Sequence, residues 1–216
     1  MPASYMFTKM IREGMKKLTA PVKLTIFTDK NGNSQNYEYT MSILDDYKKY
    51  SNGMLKFDEC QIGSNPNLEK KYNIERVPTI LFIDNNGHEL IRYLAAPQGS
   101  EIQPFIQSIL IFAGASNYYE SAIQKNLDRI NHSIIKLMIT NSCAYCPQMV
   151  SIASQFALAA KGKIKVIIID LLENPDIGNQ YDTSSVPYTI INENEPLVGC
   201  YGPNEFLEEL VEEKIM

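Results

Sequence analysis

Along Val22-Lys23-Leu24-Thr25-Ile26-Phe27-Thr28, apolar residues hold most alternate positions, the pattern of a strand with a buried face. Upstream, Met10, Ile11, Met15 and Leu18 recur at helical spacing among Lys9, Arg12, Lys16 and Lys17, which predicts an amphipathic helix near 5–18 that docks on the protein's own core. Downstream, the pattern predicts a helix near 37–51, a strand at 54–59 and a short helix near 66–73. The apolar run Ile80–Ile83 and the stretch Glu89–Leu94 flank Asp84-Asn85-Asn86-Gly87, a hairpin-turn signal between two strands. A helix near 100–112 closes this half.

The same order then recurs. It predicts a helix at 118–131, a strand at 134–140, a helix at 147–160, a strand at 164–170 and a short helix at 175–180. Strands at 188–192 and 196–201 and a helix at 204–214 follow. Particular residues repeat as well. Val22–Thr28 overlays Ile135–Asn141, while Asn65-Pro66, Tyr72 and Val77-Pro78 overlay Asn174-Pro175, Tyr181 and Val186-Pro187. The chain therefore reads as a tandem duplication, with units at 1–115 and 116–216. The linker near Gly114-Ala115-Ser116-Asn117 is too short to tether them loosely. The order αβαβαββα predicts an α/β fold, each unit a mixed parallel and antiparallel sheet covered by helices.

Composition narrows the function. With 20 basic and 25 acidic residues the net charge is −5, and no basic block offsets it, so neither nucleic acid nor an anionic membrane is an expected partner. No stretch is apolar for the ~20 residues a membrane span needs, and no signal-peptide pattern opens the chain. A cytoplasmic location is expected. There, a close pair of cysteines is usually a metal site or a redox pair.

Such a pair is present in Thr140-Asn141-Ser142-Cys143-Ala144-Tyr145-Cys146-Pro147, where an apolar strand gives way to a helix. Unpaired amides at a helix N-terminus stabilise a thiolate. Cys143 is then the exposed nucleophile, and Cys146, one turn into the helix, the thiol that resolves a mixed disulfide. A zinc site needs four ligands, and Cys60, Cys200, His88 and His132 supply no second close pair, so no metal is expected. Cys200 overlays the apolar position Leu94, which predicts a buried, inert thiol; the alternative is a third redox thiol near the active loop. Cys60 is read as structural, His88 as a solvated turn residue, and Tyr118-Tyr119 as packing between the units. The Glu205, Glu208, Glu209, Glu212 and Glu213 run is read as a solvated helix face.

Two units, Cys-Ala-Tyr-Cys-Pro in the second and Val-Pro in both, resemble the archaeal-type protein disulfide oxidoreductases, glutaredoxin-like proteins with two tandem thioredoxin-fold units. The resemblance spans the chain. It implies that Cys143 and Cys146 form the redox-active disulfide, that Pro187 is a cis-proline, and that Tyr145, Val186 and Pro187 contact an extended substrate. It also implies protein disulfides as substrates, no bound cofactor, and a thioredoxin-reductase-like flavoprotein or a small-molecule thiol as electron donor. The alternatives are a glutathione-dependent glutaredoxin and a non-catalytic peptide-binding module.

The chain departs from that family in two places. Members commonly carry Cys-x-x-Cys in each unit, whereas Lys30 and Asn33 stand in those positions of the first unit, which is expected to be redox-silent. The strand Ile134–Ile139 also lacks the buried carboxylate that thioredoxins place before the active loop, so no general base is named from the sequence.

Overall fold

The computed structural model describes residues 5–32 and 34–211. The first unit contains α1 (Tyr5–Met15), β1 (Val22–Thr28), α2 (Ser34–Tyr50), β2 (Leu55–Gln61), α3 (Pro66–Lys71), β3 (Thr79–Ile83), β4 (Glu89–Leu94) and α4 (Ile102–Phe112). The second contains α5 (Glu120–Asn126), β5 (Ser133–Ile139), α6 (Cys146–Ala159), β6 (Ile164–Asp170), α7 (Pro175–Gln180), β7 (Tyr188–Ile191), β8 (Leu197–Val198) and α8 (Pro203–Glu208).

Within each unit one parallel pair, β1·β2 or β5·β6, is followed by two antiparallel pairings. The units then join edge to edge. Strands β4 and β6 pair in parallel, Ile91 opposite Val166 and Leu94 opposite Ile169, so a single eight-stranded sheet runs β2-β1-β3-β4-β6-β5-β7-β8. Two strand edges that would otherwise present unpaired amides to solvent are satisfied by each other.

Strand alternation divides the core. Leu24 and Ile26 of β1, with Ile135, Leu137 and Ile139 of β5, face the main cluster, where α1, α2, α4, α6 and α8 pack. Phe27 and Met138 point the other way, into two smaller clusters under α3 and α7. An edge-to-face chain of rings, Tyr47–Phe105–Tyr93, helps to fill the first unit. The basic face of α1 leaves Ile11 and Met15 buried against this core, as the helical spacing predicts.

The repeated Asn-Pro pairs have diverged in use. Asn65 caps α3, its side chain accepting from the Leu68 N–H at 3.1 Å. Asn174 instead donates through Nδ2 to the carbonyl of Leu94 at 2.6 Å, a buried bond between the units. Beside it, the Arg76 guanidinium grips both carboxylate oxygens of Asp176 across the same seam.

Three expectations need correction. The fifth helix is shorter than 118–131: its α-helical part stops at Asn126 and a 3-10 turn, Leu127–Arg129, completes it. Tyr118 is 84% exposed and does not pack between the units; only Tyr119 reaches the core, edge-on to Phe156. Strand β8 covers two residues, because Gly199 adopts φ +94° and turns the chain out of the sheet. Of the expected helix at 204–214, residues 212–214 lie outside the described residues, with Glu212 and Glu213 among them. Phe206 and Leu210 face the core while Glu205, Glu208 and Glu209 face solvent. His88 sits half-exposed at its turn, Nδ1 2.9 Å from the Asp84 carboxylate.

Candidate active site

Strand β5 ends at Ile139, a loop follows, and α6 begins at Cys146 with Pro147 in its first turn, where a missing amide hydrogen costs nothing. Cys143 and Cys146 are joined in a disulfide with Cα atoms 5.5 Å apart. The sulfurs differ in access: Cys143 is half-buried and Cys146 is 0% exposed. The backbone N–H of Cys146 donates to Cys143 Sγ at 3.0 Å. That bond, with the positive end of a 14-residue helix behind it, favours negative charge on Cys143 once the pair is reduced.

The Val186–Pro187 peptide is cis, and the Val186 carbonyl oxygen lies 3.9 Å from Cys143 Sγ. Pro187 itself is buried and Val186 half-buried. Tyr145, 69% exposed, projects from the loop between the cysteines. All five residues expected at the site are thus gathered on one rim of the second unit.

The first unit completes the back of this site, which the sequence does not disclose. Asn141, two residues before Cys143, is held from both sides. Its carbonyl accepts from the Ser100 N–H at 2.9 Å, and its own N–H donates to the Asp170 carboxylate. Gly99 has φ +58°, and a Cβ there would lie 2.3 Å from the Asn141 oxygen, so only glycine fits this approach. The 3-10 turn Gly99–Glu101 packs on α6 and carries the buried Glu101, whose Oε2 has no hydrogen-bond partner. Burial raises its pKa to about 8, with the negative charge of Asp170 adding to the shift. Glu173, on the same seam, is raised to about 7 by burial and by Asp170. Two buried carboxylates thus lie behind the active loop, Asp170 from the second unit and Glu101 from the first. The only sequence signal for Glu101 is an acidic residue opening a very apolar helix.

At the equivalent place in the first unit, Asp29 Oδ1 accepts from the N–H groups of Asn31 and Gly32, closing a turn that carries an exposed Lys30. Asn33 lies outside the described residues. The Val77–Pro78 peptide is cis here too. Cys60 sits half-buried on β2. Cys200 corrects the expectation of a buried thiol. It is exposed just beyond the turn at Gly199, and its S–H reaches the carbonyl of Tyr145 at 3.5 Å. Burial pushes both thiols upward, and at Cys60 the charges of Asp58, Glu69 and Glu59 push the same way. Among the described residues no group of His, Cys, Asp and Glu could hold a metal ion.

A thioredoxin-domain family model matches residues 134–212, the stretch holding both cysteines and the cis-proline. Over that stretch the chain is similar to thioredoxin domains. A thioredoxin from Rickettsia felis is 25% identical over 98 residues, covering 44% of this chain and 93% of that protein. Whole-chain likeness comes from solved structures. A protein disulfide oxidoreductase from Aeropyrum pernix superposes with a TM-score of 0.84 and 28% identity, over 96% of this chain and 91% of that one. The N-terminal domain of the alkylhydroperoxide reductase AhpF from Enterococcus faecalis gives the same TM-score of 0.84 at 20% identity, over 95% of this chain and 98% of that one, a likeness of fold. The chain is thus a pair of thioredoxin-like units with one Cys-x-x-Cys pair, and its second unit carries the chemistry of dithiol–disulfide exchange.

Proposed function

We propose that this chain is a protein disulfide oxidoreductase whose catalytic unit is 116–216 and whose unit 1–115 is redox-silent. The Cys143 thiolate attacks one sulfur of a substrate disulfide, forming a mixed disulfide and expelling the other substrate sulfur as a thiolate, which takes up a proton. The Cys146 thiolate then attacks Cys143 Sγ, releases the second substrate thiolate and leaves the enzyme disulfide. Two electrons from a thioredoxin-reductase-like flavoprotein or a small-molecule thiol restore the dithiol; run backwards, the same steps oxidise a substrate dithiol. We assign the proton of Cys146, lost before the second attack, to Glu101 in its ionised form, a buried carboxylate on the turn packed against α6.

One observation carries this reading: Cys143 Sγ lies between an amide at the start of α6 and the backbone of Val186, where an extended substrate would pair. Tyr145 flanks the same rim. The proposed compartment is the cytoplasm, where a reductase can keep the pair cycling; no described helix is long and apolar enough to cross a membrane.

Trapping tests it. Cys146→Ser retains the attacking thiol and loses the resolving one, so a covalent adduct with an oxidised protein substrate should accumulate on non-reducing gels. Cys143→Ser should give none. Equal trapping by both variants refutes the assigned roles.

A further inference from the structure

A groove of about 730 Å³ starts at Ser142 and Pro147, the neighbours of the two cysteines, and runs onto the first unit between α1 and α2. Its walls include Met6 and Met10 from α1 and Tyr39 and Ile43 from α2. Met6 is 61% exposed and Tyr39 38% exposed, although α1 already anchors itself to the core through Ile11 and Met15. Among the described residues of the lining, Asp46 is the one acidic or basic side chain.

We propose that this groove binds a bulky apolar side chain of the disulfide-bearing polypeptide, close in sequence to its half-cystine. The redox-silent unit is then the docking arm of the catalytic one. The proposal rests on the exchange reading given above and adds the class of substrate segment. Continuity argues for a polypeptide occupant, because the groove begins at Ser142 and Pro147, beside the two cysteines, and so lies within reach of a chain whose sulfur is bonded to Cys143. Charge argues against a small anionic peptide thiol such as glutathione, whose carboxylates would meet Asp46 and no cation of the lining. Thioether and phenol walls adapt to side chains of different shape, which suits an enzyme that meets many unfolded segments.

Two disulfide-linked peptides separate the possibilities, identical except that one carries Leu-Phe and the other Ser-Ser beside the half-cystine. Burying one large apolar side chain is worth enough that wild type should prefer the apolar peptide by about tenfold or more in kcat/KM. Met6→Glu with Met10→Glu, and separately Tyr39→Ser, should bring that ratio close to one. A variant that folds poorly loses both rates together and keeps its ratio, so the ratio is independent of folding. Binding of the same peptides with serine in place of cysteine, followed by fluorescence anisotropy, should show the same preference without any exchange. If no disulfide is turned over but this preference persists, the exchange reading fails and the groove stands. A wild-type ratio near one, a ratio unchanged in the variants, or a wild-type dimer that Met6→Glu with Met10→Glu dissociates would overturn the groove as a substrate site.

Discussion

The backbone N–H of Cys146 is aimed at the Sγ of Cys143 from 3.0 Å. A sulfur held there keeps a hydrogen-bond donor and the positive end of α6 whether it is bonded to Cys146, to a substrate or to nothing. Cys146, the first residue of α6, is fully buried, so the two thiols of the reduced pair are chemically unequal.

That inequality sets an order of labelling. In the reduced protein near pH ~6.5, iodoacetamide should modify Cys143 first, about tenfold or more ahead of Cys60 and Cys200, because it alone has a helix-terminal amide to stabilise its thiolate. The other two thiols are displaced upward by burial. Mass mapping over a pH series checks this; faster modification of Cys200 would disprove the helix-terminus argument.

Glu101 should leave a signature in stability against pH. Unfolded, its carboxyl ionises near ~4.3; folded, burial delays ionisation to about 8. Between those values the unfolded chain has released a proton that the folded chain retains, so rising pH favours unfolding across this window and has no further effect above it. Glu101→Gln should remove that slope, making the variant more stable relative to wild type at pH 8 than at pH 4, as denaturant melts would show. The same variant should slow release of the mixed disulfide by about a hundredfold or more, the scale of general-base assistance. A melt difference independent of pH would place the proton elsewhere.

Gly99→Ala tests the clamp on Asn141. The new Cβ would overlap the Asn141 carbonyl in a left-handed backbone, at a cost of roughly 1–3 kcal/mol. Lower thermal stability accompanied by slower exchange is expected, because the displaced segment leads directly to Cys143. A stability loss with an unaltered exchange rate would show that Asn141 has no hold on the cysteines.

Lys30→Ala probes the first unit. An exposed side chain of this kind contributes within about 0.5 kcal/mol, so stability and dithiothreitol-driven insulin reduction should stay close to wild type. A marked fall in turnover would assign the degenerate loop a part in catalysis.

The strands and the dithiol were legible in the sequence because each depends on neighbours along the chain. Alternation in Val22–Thr28 and its counterpart in the second half marks strands with a buried face, and the Cys-x-x-Cys spacing at the start of a helix marks the dithiol. What escaped depends on contacts between distant segments. Nothing near Glu101 says that Asn141 and α6 will lie against its turn, and nothing in Glu89–Leu94 says that its partner will be Ile164–Asp170. Cys200 was misjudged for a related reason. Overlay on Leu94 assumes a full-length last strand, whereas the chain leaves the sheet at Gly199.

The joint between β4 and β6 bears on how the molecule could be divided. A fragment beginning at residue 116 would keep both cysteines and the whole thioredoxin-domain match, yet it would leave β6 (Ile164–Asp170) without its neighbour. Its Val166-Ile167-Ile168-Ile169 stretch would become an open apolar border, ready to pair with the same border of another copy. The copy without the Cys-x-x-Cys pair is thus the selvedge of the fabric: trimmed away, it lets the working half fray or knit to its neighbours, and a minimal catalyst would need a new border woven in first.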